Sequence, residues 1–268
     1  MSFCKQRFIT QVLLLSCTLF LAACGGGAES VTTAPAPVPT PAPPPPPAEM
    51  RILMLGQSIS SNCNEHIYGP VENVFQIDKV GEVVAAKDPF IWADCSKGSM
   101  WMPLGKQIVD SGLVPKVVLM PIGVDSSRVQ DWQEGGRAFT KLNTVIALAR
   151  QKNLKFDFVL WHQGSSDIGM NRDEYLSRLT AVANYVNSNL QVGAWVVALH
   201  SRCFGRYDEG IEWAQRTFGD SPANRRYLGP NNNLLGEEFR FDSCHLNQKG
   251  QEEMASLWFA AIKKSMGK

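Results

Sequence analysis

The sequence predicts an α/β fold in which a parallel sheet carries helices on both faces. Short apolar runs alternate along the chain with segments of helical periodicity, as in sheets whose strands are joined by crossover helices. Small and polar residues follow several of these runs, and the carboxyl ends of parallel strands are where active sites form in such sheets. Residues 49–268, about 220 in number, are enough for one domain with a substantial core.

Five apolar runs have the length and composition of strands, and they predict a five-stranded parallel sheet. They cover residues 51–55, 74–77, 117–122, 156–161 and 194–199. Residues 80–115 contain Trp92, Cys95 and Trp101 among glycines and prolines and do not follow the alternation. We therefore expect a long loop or excursion there.

Three segments place apolar residues on one helical face. In the first segment they are Ala138, Leu142, Val145, Ile146 and Ala149, in the second Leu176, Leu179, Val182, Ala183 and Val186, and in the third Met254, Leu257, Trp258, Ala261 and Ile262. Asn171 precedes the second segment and is predicted to be its N-cap.

The first 23 residues are predicted to be an export signal. Lys5 and Arg7 precede an apolar run that is short for a membrane span, and the run ends in Leu21-Ala22-Ala23-Cys24, which resembles a bacterial lipobox. Cys24 is then the expected lipidation site, with an ordinary cleaved signal peptide as the alternative. Residues 24–48 are rich in proline and alanine and read as an extended linker. We expect a lipid-anchored, exported protein, on the outer membrane if the host is Gram-negative.

Charge and cysteine content limit the possible partners. The formal net charge is +1 and becomes −1 once Lys5 and Arg7 are removed, and no basic run indicates nucleic acid as a partner. Four cysteines follow Cys24, namely Cys63, Cys95, Cys203 and Cys244. An even number of cysteines in an exported protein predicts two disulfides, for which three pairings are possible. The sequence contains no Cys-x-x-Cys motif, so these cysteines do not indicate a metal site. Pairing nearest neighbours gives 63–95 and 203–244.

Three short blocks carry candidate catalytic residues. Gly56-Gln57-Ser58 ends the first predicted strand, Trp161-His162-Gln163-Gly164 ends the fourth, and Asp242 and His245 precede the last helix. A serine needs a base to become a nucleophile and donors for the oxyanion that forms on attack. One turn can present Asp242 and His245 together, with the carboxylate on one ring nitrogen and the other nitrogen toward Ser58. The blocks therefore predict a serine hydrolase.

Taken in order, the blocks resemble the SGNH (GDSL-like) hydrolases, and most of all the branch containing sialate O-acetylesterases and carbohydrate acetylesterases. The resemblance spans residues 50–262 and includes Pro121-Ile122-Gly123. It implies a flavodoxin-like three-layer α/β/α sandwich with a Ser58 nucleophile, a His245 base and an Asp242 that orients the base. It also implies an oxyanion hole formed by Ser58 N–H, a donor at Gly123 or Ser126, and the Gln163 amide, without metal or organic cofactor.

Two positions depart from the family pattern. Asp125-Ser126-Ser127 stands where many relatives have two glycines, so a positive φ there would be costly. Ser165 stands where the family often has glutamate. His162 is interpreted as a structural residue, hydrogen-bonded beneath the site, rather than a second base.

The resemblance implies a small acyl group, usually acetyl, on a sugar hydroxyl. Trp92, Trp101 and Trp132 are candidates for a sugar-stacking wall, with ordinary packing an equally good or better explanation for each. Arg128 and Arg202 are candidates for reading an acidic sugar, with a solvated surface role as the better explanation. Two other functions stay possible, a lipolytic esterase acting on simple esters and a carbohydrate-binding lipoprotein without catalysis. The sequence leaves the oligomeric state open.

Overall fold

A computed structural model describes residues 48–268. Its strands are β1 (Met50–Gly56), β2 (Val74–Ile77), β3 (Val83–Ala85), β4 (Val117–Pro121), β5 (Lys155–His162), β6 (Gln191–Leu199) and β7 (Arg226–Asn231). They form one sheet in the order β3–β2–β4–β1–β5–β6–β7. All neighbours are parallel except β2 and β3, which are antiparallel.

The five predicted strands are confirmed as β1, β2, β4, β5 and β6, and the sheet has two more than predicted. Both additional strands lie at the edges of the sheet, β3 at one end and β7 at the other. β3 has three residues, all at least partly exposed, and β7 contains Gly229 and Pro230. Edge strands need only one paired side and tolerate proline, so neither has the apolar signature of a central strand.

Helices cover both faces of the sheet. They are α1 (Trp101–Asp110), α2 (Arg137–Gln151), α3 (Arg172–Asn189), α4 (Glu209–Gly219) and α5 (Gln248–Ser265). Because successive side chains of a strand point to opposite faces, Leu53 and Leu55 pack with α2, α3 and α4, while Ile52 and Met54 pack with α1 and α5. The architecture is the predicted three-layer α/β/α sandwich.

The three predicted helices are confirmed as α2, α3 and α5. Asn171 is the N-cap of α3, since its side-chain oxygen accepts the N–H groups of Asp173 at 2.9 Å and Glu174 at 3.2 Å. Residues 80–115 are more regular than predicted, because they contain β3 and the ten-residue α1. Pro103 lies in the first turn of α1, where proline is tolerated.

The expectations for residues 1–47, which include the export signal, the lipidated Cys24 and most of the linker, lie outside the described residues. Within residues 48–268, no helix combines the length and apolar character needed to cross a membrane.

Candidate active site

Ser58 lies in the turn that follows β1, at the carboxyl edge of the sheet. Gly56 is required at the end of the strand, because a Cβ there would lie 2.2 Å from the carbonyl oxygen of His162. Ser58 then begins a single 3-10 turn, Ser58–Ser60, and is only 4% exposed. Within residues 48–268 its backbone N–H donates to no protein acceptor. The residue therefore has a free N–H beside its hydroxyl.

Asp242 and His245 form a pair joined by two hydrogen bonds, and a third from Cys244 holds the carboxylate. His245 Nδ1 lies 2.7 Å from Asp242 Oδ2, and Asp242 Oδ1 accepts the backbone N–H groups of His245 at 2.7 Å and Cys244 at 3.0 Å. Partial burial acts to raise the pKa of Asp242, but the hydrogen bonds from His245 and Cys244 outweigh it and lower the pKa. The carboxylate stays charged and fixes the ring so that Nε2 is left as its free nitrogen.

The loop that carries His245 docks on the loop that carries Ser58. Leu246 donates its N–H to Asn64 Oδ1 at 3.1 Å and accepts the N–H of Glu65 at 2.9 Å. Asn64 in turn donates its side-chain N–H to the carbonyl of Ile59, next to Ser58, at 2.8 Å. Asn64 therefore fixes the position of the His245 loop relative to the Ser58 turn.

His245 Nε2 is buried and has no hydrogen-bond partner within residues 48–268. It makes no hydrogen bond to the Ser58 hydroxyl. Contacts between a nucleophile and its base are often loose before substrate binds. The nitrogen is thus desolvated and available to accept a proton.

Two disulfides tie these loops down, and the predicted pairing is confirmed. Cys63 bonds to Cys95 and Cys203 bonds to Cys244. The second disulfide joins the segment after β6 to the residue that precedes His245. Both disulfides therefore hold loops of the site rather than distant parts of the chain.

Gly123 lies against the Ser58 turn, because a Cβ on Gly123 would lie 2.2 Å from Ser61 Oγ. Its backbone N–H has no backbone acceptor in the described part of the chain. Ser126 is exposed and has φ +53°, the left-handed conformation that glycine adopts most easily. A serine holds this conformation at the cost of backbone strain. Gly123 and Ser126 both remain candidates for the oxyanion donor.

The predicted oxyanion role of Gln163 is not supported by its contacts. The side chain is fully buried, and its amide nitrogen donates to the carbonyl of Ser127 at 3.0 Å, to Gln57 Oε1 at 3.3 Å and to Asp167. Its amide oxygen accepts the Tyr175 hydroxyl at 3.0 Å. No N–H of this amide is left for an oxyanion, so the prediction is corrected. Gln163 instead joins the loop at Ser127 to Tyr175 of α3.

Gln57 makes the matching connection from the serine turn. Its amide oxygen accepts the N–H of Gly164 at 3.0 Å, and its amide nitrogen donates to Ser165 Oγ at 2.6 Å. Ser165 therefore partners Gln57 at the position where the family often has glutamate. Burial raises the pKa of the nearby Asp167 to about 6, although its bonds from Gln163 and the Val129 N–H act in the opposite direction.

His162 is fully buried beneath the site, which agrees with a structural role. The predicted hydrogen bond is absent, since neither ring nitrogen has a partner within residues 48–268. The ring instead packs edge-on against His200 at 4.8 Å and against Trp258 at 5.9 Å. Burial, with a smaller contribution from Arg240, lowers the pKa of His162 to about 3, so the ring is neutral at physiological pH.

Arg240 and His200 are two residues of the site that the sequence analysis missed. Arg240 is 5% exposed and donates to the carbonyls of Cys244, Asn232 at 3.0 Å and Leu235 at 3.3 Å. It thereby holds the loop on which His245 sits, and burial lowers its pKa to about 10. His200 is buried, with Nδ1 2.7 Å from Asn232 Nδ2. The position of Arg240, two residues before Asp242, could have indicated that it belongs to the site. No feature of the sequence indicated His200.

Comparison with known protein families shows which family this chain belongs to. Residues 54–264 match the family described as carbohydrate esterase, sialic acid-specific acetylesterase. The chain belongs to this family. The protein is therefore a carboxylic ester hydrolase, and the three blocks at the sheet edge lie within the matched region. No curated protein matches the sequence of this esterase.

Solved structures agree on the fold of the esterase. A protein from Arabidopsis thaliana superposes with a TM-score of 0.61 at 13% identity, covering 83% of this chain and 99% of that one. NanS superposes with a TM-score of 0.58 at 10% identity, covering 83% and 98%. A carbohydrate acetylesterase from Xanthomonas citri gives 0.57 at 11% identity, covering 82% of the esterase and 57% of that chain. At these identities the likeness shows an SGNH hydrolase fold.

The tryptophans that were candidates for substrate contact differ in burial and in their contacts. Trp101 is fully buried, donates to the carbonyl of Ser60 at 2.8 Å and packs against Trp258, so its predicted sugar-stacking role is wrong. Trp132 is also fully buried. Trp92 is partly exposed, but its indole N–H donates to the carbonyl of Ile77 at the end of β2, at 3.0 Å, and its ring packs against the core.

Arg202 remains at the rim of the site, one residue before the Cys203–Cys244 disulfide. Its guanidinium donates to the carbonyl of Asn233 at 3.3 Å and lies 3.7 Å from the Glu237 carboxylate. A residue already engaged in this way is a weaker candidate for reading an acidic sugar than a free arginine.

Proposed function

We propose that the esterase removes acetyl groups from carbohydrate hydroxyls through an acyl-enzyme on Ser58. The observation that carries the proposal is the Asp242–His245 pair, hydrogen-bonded at 2.7 Å and docked through Leu246 and Asn64 on the Ser58 turn. A binding module has no need of a charged carboxylate, an oriented imidazole with one desolvated nitrogen, and a serine with a free N–H. Family membership supports a carbohydrate ester as the substrate.

The reaction follows from these groups. His245 Nε2 takes the proton of the Ser58 hydroxyl as its oxygen attacks the ester carbonyl, and Asp242 stabilises the imidazolium that forms. The oxyanion is met by the N–H groups of Ser58 and of Gly123 or Ser126. His245 then protonates the sugar oxygen as it leaves. Water, deprotonated by His245, attacks the acyl-enzyme, and His245 returns the proton to the Ser58 oxygen as acetate is released.

A small acyl group suits the placement of the nucleophile. Ser58 is 4% exposed and is enclosed by the Gly123 loop on one side and the histidine loop on the other. Each additional methylene of an acyl chain would need its own apolar contact surface to add affinity. The enclosed position therefore favours acetyl esters.

A substrate panel tests the proposal. It comprises p-nitrophenyl esters from C2 to C12, acetylated xylan and acetylated sialic acid. The proposal predicts turnover of p-nitrophenyl acetate and at least one acetylated carbohydrate, with kcat/KM falling as the chain lengthens. Preference for C8 to C12 esters would indicate a lipolytic esterase, and binding of glycans without any hydrolysis would indicate a carbohydrate-binding protein.

We also propose that the mature protein is anchored by lipid on Cys24. The support is the Leu21-Ala22-Ala23-Cys24 sequence and the proline-rich linker that follows it. Radioactive palmitate should label the wild-type protein and leave Cys24→Ser unlabelled. Equal labelling of both, or of neither, would contradict the anchor.

A further inference from the structure

A two-residue turn lies beside the histidine loop. Cys203 and Arg206 exchange two backbone hydrogen bonds, at 3.1 Å and 3.0 Å, and enclose Phe204 and Gly205. Both enclosed residues have positive φ, +51° for Phe204 and +66° for Gly205. Such turns strongly prefer Asn-Gly or Asp-Gly, because these residues tolerate the left-handed conformation. Gly205 fits the turn, and Phe204 does not.

Phe204 is strained without any packing that compensates for it. Within residues 48–268, the other non-glycine residues with positive φ are Asn73, Cys95, Ser126, Asn153, Arg225 and Ser243. Phe204 is the large apolar residue of this set, and 64% of it is exposed. An exposed aromatic side chain gains little from burial, and asparagine would form the turn at lower cost. Strain of this kind concentrates at functional sites.

The turn is fixed to the candidate catalytic loop. Cys203 is disulfide-bonded to Cys244 with a Cα–Cα distance of 4.3 Å, and Phe204 donates its N–H to the carbonyl of Ser243 at 2.9 Å. Since consecutive Cα atoms are about 3.8 Å apart, the Cα of Phe204 lies within about 12 Å of that of His245. The backbone of Phe204 is therefore held close to the loop that carries the base.

A second exposed apolar residue adjoins the turn. Leu234 is 79% exposed, and its neighbour Asn233 accepts the N–H of Arg202 at 2.9 Å, directly before the turn. The rim next to His245 thus presents two exposed apolar side chains on hydrogen-bonded segments. Single exposed apolar residues are common on protein surfaces and need no explanation. Phe204 differs because its backbone is strained and its turn is disulfide-bonded to the His245 loop.

We propose that Phe204 is the platform on which a pyranose ring of the acetylated glycan stacks while its acetyl group reaches Ser58. This inference rests on the proposed function. The face of a pyranose ring that carries its C–H groups is apolar and packs on an aromatic ring, and a rigid aromatic loses little side-chain entropy on binding. The turn presents the exposed ring at the rim, and the disulfide ties the backbone of the turn to the His245 loop. Phe204 would then determine which glycans are good substrates.

The experiment compares Phe204→Asn and Phe204→Tyr with the wild type on an acetylated oligosaccharide and on p-nitrophenyl acetate. Asparagine suits the turn, so Phe204→Asn should fold and melt at the wild-type temperature or above. The ratio of kcat/KM for the oligosaccharide to that for p-nitrophenyl acetate should fall by about tenfold or more, mainly through KM. Phe204→Tyr should keep the wild-type ratio. Val80→Asn is the matched control, since Val80 is 63% exposed between β2 and β3 at the far edge of the sheet.

Three outcomes would overturn the inference. An unchanged ratio in Phe204→Asn, with wild-type glycan turnover intact, removes the platform and leaves the proposed function standing. A lower melting temperature with both substrates affected equally assigns Phe204 to the fold. A wild-type enzyme that hydrolyses p-nitrophenyl acetate but no acetylated glycan overturns the proposed function and this inference together.

Discussion

The Asp242 carboxylate binds His245 at two points, the ring Nδ1 through Oδ2 and the backbone N–H through Oδ1, both at 2.7 Å. The two oxygens therefore have separable duties. Oδ1 shapes the loop, since it also accepts the Cys244 N–H, and Oδ2 sets which ring nitrogen carries the proton. The same short segment thus fixes both the position and the tautomer of the candidate base.

Asp242→Asn separates these duties. The amide oxygen can still accept the two backbone N–H groups, but the NH2 group facing Nδ1 makes that nitrogen an acceptor and moves the ring proton to Nε2. His245 could then no longer accept the Ser58 proton, so kcat should fall by about a thousandfold or more while the melting temperature stays near wild type. Steady-state kinetics on p-nitrophenyl acetate and thermal melts measure both. A variant with near-normal kcat would exclude Asp242 as the residue that orients the base.

Gln163→Ala should act on stability. The deletion leaves the buried carbonyl of Ser127 without its donor, which costs about 1–3 kcal/mol, and leaves the Asp167 carboxyl with the Val129 N–H alone. We expect a clearly lower melting temperature and, at low temperature, a kcat within about tenfold of wild type. Paired measurements of kcat and melting temperature decide the point. A loss of about a hundredfold in kcat with an unchanged melting temperature would restore Gln163 as an oxyanion donor.

Removing each disulfide should separate stability from positioning. The disulfides span 32 and 41 residues, so chain entropy predicts similar losses of about 4 kcal/mol for either. Only Cys203→Ala/Cys244→Ala should also lower kcat by about tenfold or more, because Cys244 precedes His245. Urea unfolding and kinetics on both double variants provide the comparison. Equal kcat values for the two would show that hydrogen bonds alone position the loop.

The buried His162 should make the protein less stable in acid. Its pKa is lowered to about 3, below the value of about 6.5 in an unfolded chain, so protonation favours unfolding as pH falls from 6.5 toward 3. Between pH 7 and pH 5 this costs about 2 kcal/mol. His162→Leu should lose correspondingly less stability over that interval in urea titrations.

Asp88 and Asp167 act in the opposite direction over part of this range. Burial raises the pKa of each to about 6, so protonation stabilises the folded state as pH falls below 6. Because both carboxyls are present in wild type and in His162→Leu, the comparison of the two proteins isolates the histidine. Parallel pH profiles for the two would show that His162 does not govern acid stability.

The interior strands and long helices were predictable because their apolar residues repeat with the right period over many residues. β2, for example, coincides with the predicted run Val74–Ile77. The edge strand β7 could not be predicted, because Gly229 and Pro230 interrupt its apolar pattern and only one of its sides is paired. Local pattern also placed Ser58, Asp242 and His245 on loops that the fold brings to one edge.

The sequence did not allow us to predict which side chains form hydrogen bonds or pack together across the fold. The amide of Gln163 is occupied by Asp167, whose burial depends on the packing of the Val129 loop against it. Trp101 is a core residue because α1 packs on α5 under the serine turn, a contact between segments more than a hundred residues apart. Sequence pattern predicts which residues reach the site, whereas their hydrogen bonds depend on tertiary packing.

Covalent trapping of the nucleophile tests the central claim most directly. A p-nitrophenyl alkylphosphonate reacts with an activated serine and stays attached, and the labelled peptide can be identified by mass spectrometry. The account predicts one label on Ser58 of the wild type, with parallel loss of esterase activity, no label in Ser58→Ala and strongly slowed labelling in His245→Ala. Labelling of a different residue, or full esterase activity in Ser58→Ala, would contradict it.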